Sequence, residues 1–297
     1  MSRMQVCFKT TWKTQNDKVV CHLCPFLCHL KDGENGVCRV RSNRGGSLVL
    51  DNYGQTIVPV LDRIQKRPVY LYNGYPKDDR KINSLSIGST GCNNRCPFCQ
   101  NFEISQVSNW DGLRFYSPDF IVNKAIENKV DFISFSFNEV IVIFEYFCDV
   151  ADIARKKGLK ICVKTAGYIS KELTDEFLSR VDVLNLDIKP QDNDYLKKCG
   201  VLDQDVVFFF IERCLYKNIH IEISHILIEG VNDNKNSINK FINIVQKYAN
   251  NIIGIHLLRH YPAWKSNYPL TSDASLIKWA GYLKDSGLEN VFYDDVG

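Results

Sequence analysis

Gly88-Ser-Thr-Gly-Cys92-Asn-Asn-Arg-Cys96-Pro-Phe98-Cys99-Gln-Asn101 is the stretch on which the rest of the chain turns. It follows a strand-like run, Asn83 to Ile87, and carries the glycine pair Gly88 and Gly91. Its three cysteines fall in the spacing C-x3-C-x2-C. Thiolates this close can wrap one metal centre, and iron–sulfur clusters are held by such runs. A cubane held by three protein thiolates keeps one iron open for a ligand, and open metal positions mark catalytic rather than structural sites. A zinc knuckle or three unrelated cysteines is the plainer alternative.

The chain has 297 residues, enough for one large domain with a small attachment. Hydrophobic residues make up 45% and charged residues 24%, ordinary for a globular protein. A net charge of +3 is too weak to argue for nucleic acid or an anionic membrane as partner. No apolar run approaches the length of a bilayer span. Met1 to Asn16 is polar and does not read as a secretory signal. Twelve cysteines in such a chain point to metal binding in a reducing compartment, the cytoplasm, rather than to disulfides.

Four more cysteines are clustered upstream, as Cys21-His-Leu-Cys24-Pro-Phe-Leu-Cys28 and Cys38, with Gly33 and Gly36 between the last two. Pro25 and the glycines favour tight loops that aim thiolates inward. Four thiolates close a zinc site or hold a complete iron–sulfur cluster, and the spacing does not choose between them. His22 and His29 are spare candidates. Leu48–Leu50 and Thr56–Leu61 read as short strands, and Arg63, Lys66 and Arg67 as a solvated face, with a basic lip on the active site as the alternative. Pro76 to Arg80 reads as a joint. This predicts a cysteine-rich, β-rich segment over residues 1–80 and a second domain over 81–297.

From residue 83 strands alternate with helices: strands at Asp131–Phe137, Leu159–Lys164, Val181–Ile188, Ile219–Ile228, Asn251–Leu258 and Asn290–Tyr293, helices at Val140–Lys157, Lys171–Ser179, Asp203–Lys217, Lys235–Tyr248 and Asp273–Lys284. Such alternation means βαβ units and a parallel sheet. The expected fold class is α/β, a partial (β/α)6 parallel barrel behind a small N-terminal cysteine-rich metal-binding domain. Parallel barrels collect reactive groups at the C-terminal ends of their strands. Those ends carry the cysteine loop, then Ser136-Phe-Asn138-Glu139, Lys164-Thr165, Asp187-Ile-Lys189, Ile228-Glu229 and Arg259-His260-Tyr261. Asp187 and Lys189 share one face of an extended strand. Asn138 and Glu139 could instead be a helix cap and a charge on the helix dipole.

With these residues in view, the chain resembles the radical S-adenosylmethionine (SAM) superfamily. The longer string Gly91 to Gln106 is similar to the group of glycyl-radical-enzyme activases and most like the radical SAM proteins of the AmmeMemoRadiSam system. The likeness runs from about Cys21 to Pro262 and takes in the four upstream cysteines. It implies a 4Fe–4S cluster on Cys92, Cys96 and Cys99 whose open iron chelates SAM. One-electron reduction would then release a 5′-deoxyadenosyl radical that abstracts hydrogen from a small molecule or peptide. It implies that Ser136, Asn138 and Glu139 receive the SAM ammonium, with Val140 where the group has proline. Phe98 would pack on the adenine. Asp187 and Lys189 would stand near SAM and either a monovalent cation or the substrate. Lys164, Thr165 and Arg259 complete the cofactor set. The His260–Tyr261 order is exchanged relative to the group, so no role passes to His260.

The upstream cysteines would hold a second metal centre, zinc or 4Fe–4S. An oxidoreductase of this kind needs a one-electron donor such as flavodoxin or ferredoxin. The alternative activity is an activase that installs a glycyl radical on a partner protein. A zinc protein that binds RNA stands further off.

Overall fold

The computed structural model describes residues 5–248, 252 and 254–293. The upstream cysteines lie among two small antiparallel sheets of three strands each. One consists of Trp12–Gln15, Lys18–Cys21 and His29–Leu30, the other of Gln5–Val6, Ser47–Leu50 and Arg41–Arg44. Arg41 fastens this region to the rest of the chain. Its side chain is fully buried, ion-paired with Glu145, and its Nε donates to the Val142 carbonyl at 2.9 Å.

Seven parallel strands follow: β1, Ser84–Ile87; β2, Phe132–Phe135; β3, Lys160–Thr165; β4, Val183–Asp187; β5, His220–Leu227; β6, Gly254–Arg259; and β7, Val291–Phe292. They stand in sequence order in one sheet, as successive crossovers of a single hand produce. Val60–Asp62 adds an eighth, antiparallel strand beside β1, so the joint expected near residue 80 falls between two paired strands. Among the described residues the two edge strands are not bonded to each other, and the sheet is open. The seven strands read from residue 83 onward thus all lie parallel in this sheet, and what the sequence did not anticipate is the antiparallel strand at its edge.

Alternation along the strands divides the two faces of this sheet. Leu85, Ile133, Ile161, Leu184, Ile221 and Ile255, with their neighbours two residues on, are buried in the main core with the helices. Many of the intervening positions are polar: Ser84 meets Ser134 at 2.6 Å, and Ser224 donates to Asn185 at 2.8 Å. Such a polar face needs a partner, and residues 64–72 supply it at the strand beginnings. Asn185 donates to the Pro68 carbonyl at 2.8 Å, and Glu222 accepts from the backbone N–H groups of Tyr70 and Leu71. Ile64 and Val69 pack there on Phe132, Cys162 and Val183. The strand ends on the other side stay open, which leaves space for a ligand.

Most helices match expectation within a residue or two. The helix expected at Val140 begins instead as a 3-10 turn, Val140–Ile143, before the α-helix Phe144–Lys156. Four consecutive β-branched side chains crowd a helical turn and explain the tighter start. Helices at Pro118–Glu127 and Asn193–Cys199 join the expected set. No helix among the described residues is long and apolar enough to cross a membrane.

Candidate active site

The cysteine loop leaves the end of β1 through positions that exclude side chains. A Cβ on Gly88 would lie 2.7 Å from the Ser136 carbonyl oxygen. Gly91 has φ +81, and a Cβ there would lie 2.6 Å from the Cys38 carbonyl oxygen, so the upstream segment lies directly against the loop. Asn138, from the end of β2, grips the loop: its Nδ2 donates to the Gly91 carbonyl at 2.8 Å and its Oδ1 accepts from Ser89 N at 3.1 Å. Asn138 therefore spends its amide on the loop. Arg39 adds bonds to the Cys92 carbonyl and, at 3.1 Å, to Gln106.

Two of the three sulfurs have a polar hydrogen-bond partner: Cys92 Sγ accepts from Asn94 N at 3.4 Å, and Cys99 Sγ lies 3.2 Å from Ser105 Oγ. Cys96 packs in one apolar cluster with buried Cys199. The neighbouring Cys199 thiol draws the Cys96 pKa down, whereas burial pushes Cys92 and Cys99 up. Donors aimed at sulfur favour the thiolate, which is the metal-binding form. The residues thus fit a metal centre held by thiolates.

A cavity of about 370 Å³ opens beside these sulfurs, and every site residue expected from position 92 onward lines it. Ser136 and Phe137 form its wall at the end of β2. Phe137 has φ +73, a strained conformation for a residue with a side chain, and the Arg67 guanidinium lies 5.0 Å from its ring centre. Glu139 is buried; its two oxygens accept from Thr165 Oγ1 at 2.5 Å and Ala166 N at 2.8 Å. Burial raises its pKa despite these donors. A carboxylate has room for further donors, so Glu139 can still take an ammonium.

Opposite, Lys189 Nζ donates to Asp187 Oδ2 at 2.8 Å. Burial opposes the charge on Asp187, but Lys189 and Lys164 outweigh it and hold its pKa below the ordinary range. Lys164 is depressed by burial to about 8, in spite of Asp187. His225 packs beneath, its Nδ1 on the Ile188 carbonyl at 2.8 Å, and burial lowers it to about 4, so it is neutral.

Phe98 stacks one face on Tyr195, ring centres 6.0 Å apart. Arg259 borders the cavity while bonding Asp273 and the Thr271 carbonyl, so its guanidinium is committed at least in part. His260 is buried, with its ring nitrogens on Pro269 and Ser266, holding the loop that follows β6. Lys66 and Arg67 line the cavity, and Arg67 is only 7% exposed, which corrects the expected solvated face. Arg63 points away, to the Asp79 carbonyl. For Lys66 and Arg67 the basic lip, the less favoured alternative, is therefore the reading that holds, and Cys199, beside Cys96, is the neighbour of the site that the sequence did not mark.

Cys21, Cys24, Cys28 and Cys38 do not line this cavity. Cys21 and Cys38 are buried in one apolar cluster with Val19, Leu30, Val40 and Leu48, and Cys24 is buried as well. Here too backbone N–H groups meet sulfur: Leu23 on Cys21, Phe26 on Cys24, and Val37 on Cys28 at 3.4 Å. Among the described residues neither this group nor Cys92, Cys96 and Cys99 brings three His, Cys, Asp or Glu side chains close enough to hold a single metal ion.

A family model described as the Radical SAM superfamily matches residues 86–242. An uncharacterized protein of Methanocaldococcus jannaschii is 33% identical over 289 residues, covering 96% of this chain and 83% of that protein. A pyruvate formate-lyase-activating enzyme of Clostridium pasteurianum is 25% identical over 60% of this chain and 75% of its own length. Among solved structures, a radical SAM methyltransferase from Sphaerobacter thermophilus superposes with a TM-score of 0.54 at 15% identity, covering 71% of this chain and 66% of that one. At that identity the superposition speaks for the fold alone.

Proposed function

The chain belongs to the radical SAM superfamily and is a SAM-dependent radical enzyme, and from that premise we propose that Cys92, Cys96 and Cys99 hold a 4Fe–4S cluster with SAM in the adjoining cavity. The observation that carries this is the gathering of three cysteine thiols, a buried Glu139 and the Asp187–Lys189 pair on one cavity. Cluster and SAM, when bound, supply a 5′-deoxyadenosyl radical by one-electron cleavage.

The chain's own residues position and seclude that chemistry. Glu139, fixed by Thr165 and Ala166, offers a carboxylate to the methionyl ammonium. Lys164 and Lys189 offer cations to a carboxylate, and Phe98 offers a flat apolar surface to a base. Asn138 and Gly91 hold the cysteine loop in register with these groups.

The substrate is a small molecule or peptide from which hydrogen is abstracted. A second reading, installation of a glycyl radical on a partner protein, draws on the likeness to the pyruvate formate-lyase-activating enzyme. In either case a flavodoxin or ferredoxin serves as electron donor, in the reducing cytoplasm. Residues 1–80 carry the cysteine-rich portion and 81–297 the catalytic one, with Val60–Asp62 joining the catalytic sheet and Lys66 and Arg67 lining its cavity, and Cys21, Cys24, Cys28 and Cys38 bind a second metal centre, zinc or 4Fe–4S.

Anaerobic purification, metal counting and incubation with SAM and reductant test this. The expected result is about four irons per chain with one cluster, or about eight with two, and release of 5′-deoxyadenosine. Iron-loaded protein that leaves SAM intact under reduction would reject it.

A further inference from the structure

We propose that Lys164 is a resident cation of the active site, supplying against the unbonded oxygen of Asp187 the positive charge that a bound monovalent metal ion would otherwise bring. The inference rests on the SAM-binding role of the cavity given above. Lys164 lies near the end of β3, opposite Asn185 of β4 in parallel register. Alternate residues share a face, so Lys164, Asn185 and Asp187 project to the same side of the sheet. Lys164 and Asp187 both line the cavity.

Two unspent groups line this part of the cavity. Asp187 uses Oδ2 on Lys189, while its Oδ1 is buried with no hydrogen-bond partner. Among the described residues the Lys164 ammonium, with three N–H donors, makes no hydrogen bond or ion pair, yet interacts electrostatically with Asp187. Buried polar groups are normally satisfied, so Asp187 Oδ1 awaits a ligand or a cation, and Lys164 on the same cavity wall carries one.

A free Na⁺ or K⁺ seeking the same carboxylate would meet the like charges of Lys164, Lys189 and Arg67, all lining this cavity. A tethered ammonium needs no capture from solvent, and it leaves donors for the anionic end of SAM. This differs from the dissociable cation that the sequence resemblance implies.

The test compares SAM affinity, by anaerobic equilibrium dialysis, in buffers whose only cation is tetramethylammonium and in the same buffers with roughly 0.1 M KCl or NaCl. The expected result is equal affinity in all three, within about twofold. Lys164→Met should weaken SAM by about tenfold or more, with no rescue by salt. Lys164→Asp sets two carboxylates side by side and should bind SAM only when Na⁺ or K⁺ is added. It should also broaden the ²³Na resonance, which the unmodified protein leaves sharp; a merely structural lysine would not create that dependence.

Unmodified protein whose SAM affinity rises several-fold with K⁺ or Na⁺ overturns the inference while leaving SAM binding intact. Iron-loaded protein that binds no SAM in any buffer overturns the parent assignment as well. The comparison on unmodified protein needs no variant to fold.

Discussion

The two cysteine groups of this chain share a local design and differ in what surrounds them. Both present thiols on loops rich in glycine or proline, with backbone N–H groups turned toward sulfur. The downstream group faces a cavity that it shares with Glu139, Asp187 and Lys189. The upstream group has four thiols and an apolar surround, and lines no part of that cavity. The contrast teaches that ligand count and access, rather than cysteine itself, separate a centre that reacts from one that holds structure. The two are not independent, because the Cys38 carbonyl packs on Gly91 and Arg39 donates to the Cys92 carbonyl.

The sharpest way to break the contrast is to remove one thiol from each group. Cys96→Ala should abolish SAM cleavage and about four irons while leaving thermal unfolding of the apoprotein nearly unchanged. Cys38→Ala should do the reverse in kind, lowering the Tm of metal-loaded protein by about 10 °C through lost metal-coupled folding. If Cys38→Ala leaves the Tm unchanged and removes only activity, the upstream group is a working centre, not a support.

The junction between the regions gives a third test. Arg41→Met strands the buried carboxylate of Glu145 and should cost about 3–5 kcal/mol in denaturant titration. Arg41→Met with Glu145→Leu should recover most of that loss, since an apolar pair fills the same dry space.

A smaller effect is expected from pH. Lys164 faces Asp187, Lys189, Arg67 and Cys162, and is depressed to about 8. Its charge is present below that value and lost above it, so SAM affinity should fall as pH rises through about 8 to 9, by up to about tenfold per unit. Lys189 is held charged by Asp187 and should not contribute to this limb. Lys164→Met should flatten it.

Much of this arrangement was legible in the sequence because strand alternation and glycine–cysteine spacing are local. Leu85, Ile133 and Ile161 mark the helix side of the sheet, and Lys164 and Asp187 fall on the other by parity alone. Turn-forming glycines placed the cysteine loop at a strand end. What stayed hidden depends on distant contacts. Lys66-Arg67-Pro68 reads as polar surface until Asn185, 117 residues away from Pro68, captures the Pro68 carbonyl. Cys199 looks like any buried thiol until its helix brings it against Cys96. The 3-10 start at Val140 was written in four β-branched residues that hydrophobic periodicity treats as ordinary helix.

The central claim, a three-thiolate cluster with a corner left for SAM, is met most directly by low-temperature EPR of anaerobic, reduced protein before and after SAM is added. A 4Fe–4S spectrum whose g-values shift on SAM addition is the predicted result. A cluster spectrum indifferent to SAM would mean that the fourth iron is already ligated by the protein, and would contradict the account.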